Sequence, residues 1–172
     1  MYISESKQLL VTQSNFTSNR ATYNGGSICF DSSNDNITVS KTYISSSDAS
    51  RYGGGAYFGS FNLNILLDGN VFQGNVGAID GGGLYSDDSN SPMLISNTSF
   101  VGNIASSGNG GGLSFGSNHG DLAIVSTSSS NSPYTFGYQY QSDDNSTYVA
   151  TNHTDPDAVG WIIVFDASTS IC

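Results

Sequence analysis

A glycine block followed by an apolar residue recurs four times in this chain. The copies are Gly25-Gly26-Ser27-Ile28, Gly53-Gly54-Gly55-Ala56, Gly81-Gly82-Gly83-Leu84 and Gly110-Gly111-Gly112-Leu113, and their first glycines step by 28, 28 and 29 residues. An aromatic stands ahead of each block, at Phe16, Tyr43, Phe72 and Phe100. Three copies carry Asn three residues later, at Asn19, Asn75 and Asn103, with Ser46 in the remaining one. A unit of this length buries its apolar face only by stacking on its neighbours, so the period dictates a repeat architecture.

The apolar positions say what each unit is. On the 28-residue period, Leu9, Ile37, Ile65 and Met93 share one column, and Val11, Val39, Leu67 and Ile95 share another. Leu122 and Ile124 begin a partial fifth copy. Two apolar columns separated by one outward residue are the period-2 signature of a strand. After the glycines, Ile28, Ala56, Leu84 and Leu113 point one way, and Cys29, Tyr57, Tyr85 and Ser114 the other. Phe30, Phe58 and Phe115 return to the first side, with Ser86 as the exception. Each repeat is thus several short strands joined by Gly, Ser and Asn turns.

A closed loop of such strands is one coil of a parallel β-helix, with coils stacked ~4.8 Å apart. The expected class is all-β, with about four to five coils and a C-terminal β extension. The glycines suit corners with positive φ. The Asn column suits an internal amide ladder, or simply a turn.

Phe-x-x-Asn followed by Gly-Gly and an aliphatic residue resembles the repeat of the chlamydial polymorphic outer-membrane proteins, a pattern also found in surface proteins of protists. The matching segments are Phe16 to Asn19 with Gly25 to Ile28, Phe72 to Asn75 with Gly82 to Tyr85, and Phe100 to Asn103 with Gly111 to Leu113. The resemblance spans roughly residues 9 to 125; the second copy departs from it at Tyr43 and Ser46. It implies a right-handed parallel β-helix used as an extracellular passenger, adhesin or surface fibre. No barrel domain follows the repeats, so an autotransporter mechanism is not expected of this chain.

Composition narrows the partners. Four Lys and Arg stand against 14 Asp and Glu, for a formal net charge of -10. That balance repels nucleic acid and anionic bilayers. No run approaches the ~20 apolar residues of a spanning helix, so membrane insertion is not expected. Met1 to Glu5 lacks the basic start and apolar core of a signal peptide, so any export signal is expected to lie outside this sequence or to have been removed. Sequons at Asn15, Asn36, Asn97, Asn145 and Asn152 point to an extracellular or cell-surface glycoprotein with N-linked glycans, though so Ser- and Thr-rich a chain also makes sequons by chance.

Cys29 and Cys172 are the only cysteines. Cys29 has outward parity, which suggests a disulfide with Cys172 within one chain or between chains, with two unpaired thiols as the alternative. The repeats are assigned to 1–130, and 131–172 to an extension that is a cap or an inter-subunit arm. Ser126 to Ser132 reads as a linker or sharp turn. Trp161 to Phe165 is the most apolar strand, and Trp161, Ile163 and Phe165 are candidate cap or subunit contacts. An open edge at one end and an apolar strand at the other suit head-to-tail self-assembly into a filament.

Chemistry is sparse. Asp87, Asp88 and His119 echo the acid–base groups of pectin-lyase-like polysaccharide-degrading enzymes of this fold class. The four basic residues, Lys7, Arg20, Lys41 and Arg51, all lie in the first two coils and cannot hold an acidic sugar there. Asp-Asp and Asn-His-Gly are also ordinary turn sequences, so the chain is not expected to be an enzyme. Asp80, Asp87 and Asp88, and Asp143, Asp144, Asp155 and Asp157, offer oxygen ligands to Ca²⁺ without an ordered loop spacing. Solvated turn carboxylates are the simpler reading, and neither a metal site nor a cofactor is expected. Tyr57 and Tyr85 form a possible sugar-stacking column, which keeps a carbohydrate-binding module as the rival reading.

Overall fold

Residues 1–132, 136–138 and 161–165 are described by a computed structural model, with Ser126, 128–132 and the last two segments as backbone alone. The fold is an all-β parallel solenoid of about four turns, with no helix among the described residues. Three faces enclose the core. The first is built from Lys7–Thr12, Asp35–Ser40, Leu63–Asp68, Met93–Ser96 and the start of Leu122–Ser132. The second contains Asn15–Thr17, Tyr43–Ser45, Val71–Gln73 and Ser99–Ala105, with short strands such as Asp48–Ala49 and Val76–Gly77 beside them. The third contains Tyr2–Ile3, Ile28–Phe30, Ala56–Phe58, Leu84–Ser86, Leu113–Phe115 and Phe136–Tyr138.

The register reproduces the apolar columns. Leu9, Ile37, Ile65, Met93 and Leu122 pair in succession, as do Val11, Val39, Leu67, Ile95 and Ile124. Ile28, Ala56, Leu84 and Leu113 do the same on the third face. These residues fill one continuous core with Phe30, Phe58, Phe72 and Phe100. Phe30 stacks on Phe58 at 4.7 Å between ring centroids, and Phe72 on Phe100 at 4.9 Å.

Two positions shift by one residue from the sequence reading. The partner of Phe16 and Phe72 in the second coil is Ile44, not Tyr43; Tyr43 pairs with Asn15 and Val71 on the outward side. The Asn column likewise continues through Ser47, not Ser46. Pleat parity decides both, because a one-residue slip would turn Ile44 out and Tyr43 in. Ser46 instead holds the corner, with φ of 49° in line with Ser18 at 57°, Gly74 at 61° and Gly102 at 61°.

Three polar ladders line the inner corners. In one, the Ser47 backbone N–H donates to Asn75 Oδ1 at 3.1 Å, and that of Asn75 to Asn103 Oδ1 at 3.0 Å. The second runs through Asn34, Asn62 and Asn90, where each lower backbone N–H donates to the next Oδ1. The third runs through Thr42, Asn70 and Thr98. Ladder and turn were both open from the sequence; the Asn residues serve as both.

The segment read as a linker, Ser126 to Ser132, is strand. Leu122–Ser132 continues the first face and then turns onto the second, pairing Ser128 with Ser99 and Ser132 with Ile104. The open ladder of Ser99–Ala105 supplies backbone partners that outweigh the weak strand preference of a serine run. Trp161–Phe165 pairs antiparallel with the same strand of its own chain, with Leu122 opposite Phe165.

Candidate binding face

The third face carries the outward column Tyr2, Cys29, Tyr57, Tyr85 and Ser114. Outward parity does not make it exposed. Cys29 is 8% exposed and Tyr57 only 7%, because these two side chains are covered by neighbours one coil away, whereas Tyr2 at the end of the column is 68% exposed. This corrects the expectation of a solvent-facing cysteine. Cys29 is a buried free thiol, and Cys172 lies outside the described residues. Burial, and then the nearby Asp31 carboxylate, push the Cys29 thiol up to about 11, so it stays protonated at neutral pH.

The tyrosines are a packed array. Tyr57 and Tyr85 stack with centroids 5.9 Å apart and planes 3° apart. Tyr52, which the sequence did not single out, stacks on Tyr85 at 4.7 Å, and Arg51 lies 5.4 Å over the Tyr52 ring. The Tyr57 hydroxyl donates to Asp87 Oδ2 at 2.8 Å. Burial first and the Asp87 hydrogen bond second push that hydroxyl far above the usual tyrosine value. Tyr2 makes the equivalent bond to Asp31 Oδ2. These aromatic–acid pairs lie 29 and 30 residues apart in sequence, across one coil, which is why no local motif announces them.

Both rings stacked on Tyr85 belong to the coil below it. In the coil above, the next position is Ser114, so the aromatic ladder stops. A cleft of about 230 Å³ opens there, lined by Tyr85, Ser114, Asn109, Asp80, Asp87 and Asp88. Asp80 Oδ1 accepts from the Asn109 backbone N–H at 2.5 Å, and Asp88 Oδ1 from that of Ser117 at 2.6 Å. The result is a half-exposed ring beside three oriented carboxylates. Among the described residues, no group of three or more His, Cys, Asp or Glu side chains is arranged to hold a metal ion.

His119 is not a surface-turn residue. It is 4% exposed, edge-on to Phe115 at 5.3 Å, with Nδ1 3.0 Å from the Asn90 carbonyl oxygen. It packs under the cleft's residues and presents no ring nitrogen to solvent, so the echo of an acid–base cluster with Asp87 and Asp88 is not an assembled one.

The three described sequon asparagines are all exposed. Asn15 Oδ1 accepts from its own sequon hydroxyl, Thr17 Oγ1, at 2.7 Å. Asn36 and Asn97 stand at left-handed backbone positions, with φ of 56° and 48°, and the Asn97 amide donates to Asp68 Oδ1 at 2.8 Å. Asn145 and Asn152 lie outside the described residues. No protein family, no curated protein and no solved structure matches this chain.

Proposed function

We propose that this chain is an extracellular structural or adhesive β-solenoid glycoprotein of the cell surface. One observation carries the reading: Asn15, Asn36 and Asn97 each project from the outside of the solenoid, clear of the packed core. A glycan on each would leave the stacking of the coils undisturbed. The resemblance of the repeat to chlamydial polymorphic outer-membrane proteins supports the same placement. Peptide mapping of material from the native source should find sugar on at least two of Asn15, Asn36, Asn97, Asn145 and Asn152. All five bare would overturn the glycoprotein reading.

Assembly follows from the two ends. The strand a head-to-tail filament needs as its arm, Trp161–Phe165, lies on its own last coil. This favours a self-capped module whose remaining contact surface is the opposite end, where Leu9, Val11 and Phe16 are half-buried.

A second reading, saccharide recognition, is favoured by the broken aromatic ladder. A sugar ring seated on Tyr85 takes the place of the missing rung. Asp80, Asp87 and Asp88 accept its hydroxyl hydrogen bonds and repel acidic sugars. Calorimetric titration with neutral and uronic-acid oligosaccharides separates the readings. Binding confined to the neutral set, and lost in Tyr85→Ala, supports recognition; no binding leaves the structural role alone.

A further inference from the structure

One buried side-chain polar atom among the described residues has no hydrogen-bond partner, and it is His119 Nε2. Its place in the fold explains why. The register that pairs Met93 with Leu122 aligns His119 with Asn90, 29 residues earlier. His119 therefore stands as the top rung of the corner ladder that begins at Ser6 and runs through Asn34, Asn62 and Asn90.

An asparagine in this column has both a carbonyl and an amide to spend. Asn62 Oδ1 accepts from the Asn34 backbone N–H, and Asn62 Nδ2 donates to the Gly59 and Asp31 carbonyls at 2.6 and 2.8 Å. Histidine fills the same space with one satisfied nitrogen. A carbonyl oxygen only accepts, so the short contact to Asn90 places the proton on Nδ1 and leaves Nε2 a bare lone pair.

A second proton can go only to Nε2. The ring would then be a cation, 4% exposed, at a nitrogen that has no hydrogen-bond partner in the closed ladder; the Asn90 and Ser86 backbones favour the charged ring, but burial outweighs them. The charged groups facing it are Asp87 and Asp88, on the turn of the coil below. Each accepts one hydrogen bond from the closed fold, Asp87 from Tyr57 and Asp88 from the Ser117 backbone N–H, and both keep their charge. Phe115, packed edge-on, carries no charge. Inside the ladder burial outweighs the pull of these groups on the cation; swung outward, it meets water.

We infer that His119 is an acid-sensitive latch: a proton taken from solvent at Nε2 expels the imidazole from the ladder and releases the 116–121 turn. That turn leads directly into Leu122–Ser132, the strand that carries both the last complete coil and Trp161–Phe165. Acidification thus loosens the upper end of the solenoid while the lower coils, whose corner is all Asn and Ser, stay closed.

The direction of the pH dependence is fixed by burial. Burial chiefly holds the His119 value below the ordinary 6.5, against smaller opposing pulls from the backbone and the two aspartates. The opened state binds a proton that the closed state refuses. The closed state is therefore favoured at neutral pH and loses ground as pH falls below about 6.5, by up to tenfold in the opening equilibrium per pH unit.

Hydrogen exchange on the full chain, corrected for intrinsic rates, tests this. From about pH 7 to about pH 5, protection of amides across 113–125 should fall, by up to about tenfold per pH unit below about 6.5, while that of Ile28–Phe30 holds. His119→Asn, which restores the ladder residue, should flatten the response. An undiminished fall in the variant overturns the latch. Should the variant not fold, NMR titration of the wild-type ring decides. The Nδ1–H tautomer with a midpoint below 6.5 supports the latch, and an ordinary midpoint overturns it.

Discussion

At the residue scale, the coils turn on left-handed positions, and most of those positions are not glycine. One corner column is Gln13, Lys41, Gly69 and Asn97; another is Ser33, Phe61 and Ser89, each with φ between 48° and 65°. A non-glycine residue there costs ~1–2 kcal/mol. The glycines divide into two kinds. Gly74 has positive φ but open space around a Cβ, whereas Gly55 lacks positive φ and a Cβ there would lie 2.6 Å from the Gly83 oxygen and 3.0 Å from Phe72. Gly74→Ala should therefore cost about 1 kcal/mol, through φ alone. Gly55→Ala should cost about 3 kcal/mol or more, because the coil above must move. Ser46→Gly, in the Gly74 column, should be neutral to mildly stabilising, by up to about 1 kcal/mol, after the added freedom of the unfolded chain is counted. Urea denaturation of the three variants reads all of these.

At the element scale, the ladders make each corner depend on the coil above. Asn75 Nδ2 donates to the Ile44 carbonyl at 2.9 Å and to Asn103 Oδ1 at 2.9 Å, while Asn75 Oδ1 accepts from the Ser47 backbone N–H. Asn75→Ala strips buried partners from two backbone groups at once. At ~1–3 kcal/mol for each group left unpaired, the loss should be at least about 2 kcal/mol. Asn19, at the end of the same ladder, is only half-buried, so Asn19→Ala should cost clearly less. Equal losses at the two sites, measured by thermal or urea unfolding, would mean the ladder contributes only as a set of turns.

Across the whole molecule, stability is close to a sum over neighbouring coils. The same side chain therefore has a different worth at different heights. Phe72 is 1% exposed and stacked on Phe100, while Phe16 in the first coil is only partly buried. Phe72→Ala should cost about 3–5 kcal/mol, as a cavity in a closed core does. Phe16→Ala removes the same atoms from a half-open end and should cost less than half as much. Chemical denaturation compares them directly. Matching losses would show the first coil to be covered in solution, as an assembled lower end requires.

Period and parity were enough to read the strands, the parallel stacking and the inward columns, because a strand shows its pattern within a few residues and a repeat shows it four times over. The glycine corner was legible for the same reason. The one-residue errors at Tyr43 and Ser46 arose where the second copy is degenerate: Tyr43 and Ile44 are both apolar, and Ser45, Ser46 and Ser47 are identical. Only backbone pairing chooses among them. Cys29, Tyr57 and His119 show what sequence alone cannot decide. Parity says which way a side chain leaves the sheet, but burial depends on what stands one coil, 28 to 30 residues, away. Tyr57 is covered through Asp87 and Tyr85, and His119 is enclosed because it inherits an asparagine's corner. Local chemistry set the coil; contact between coils decided which of its polar groups meet water.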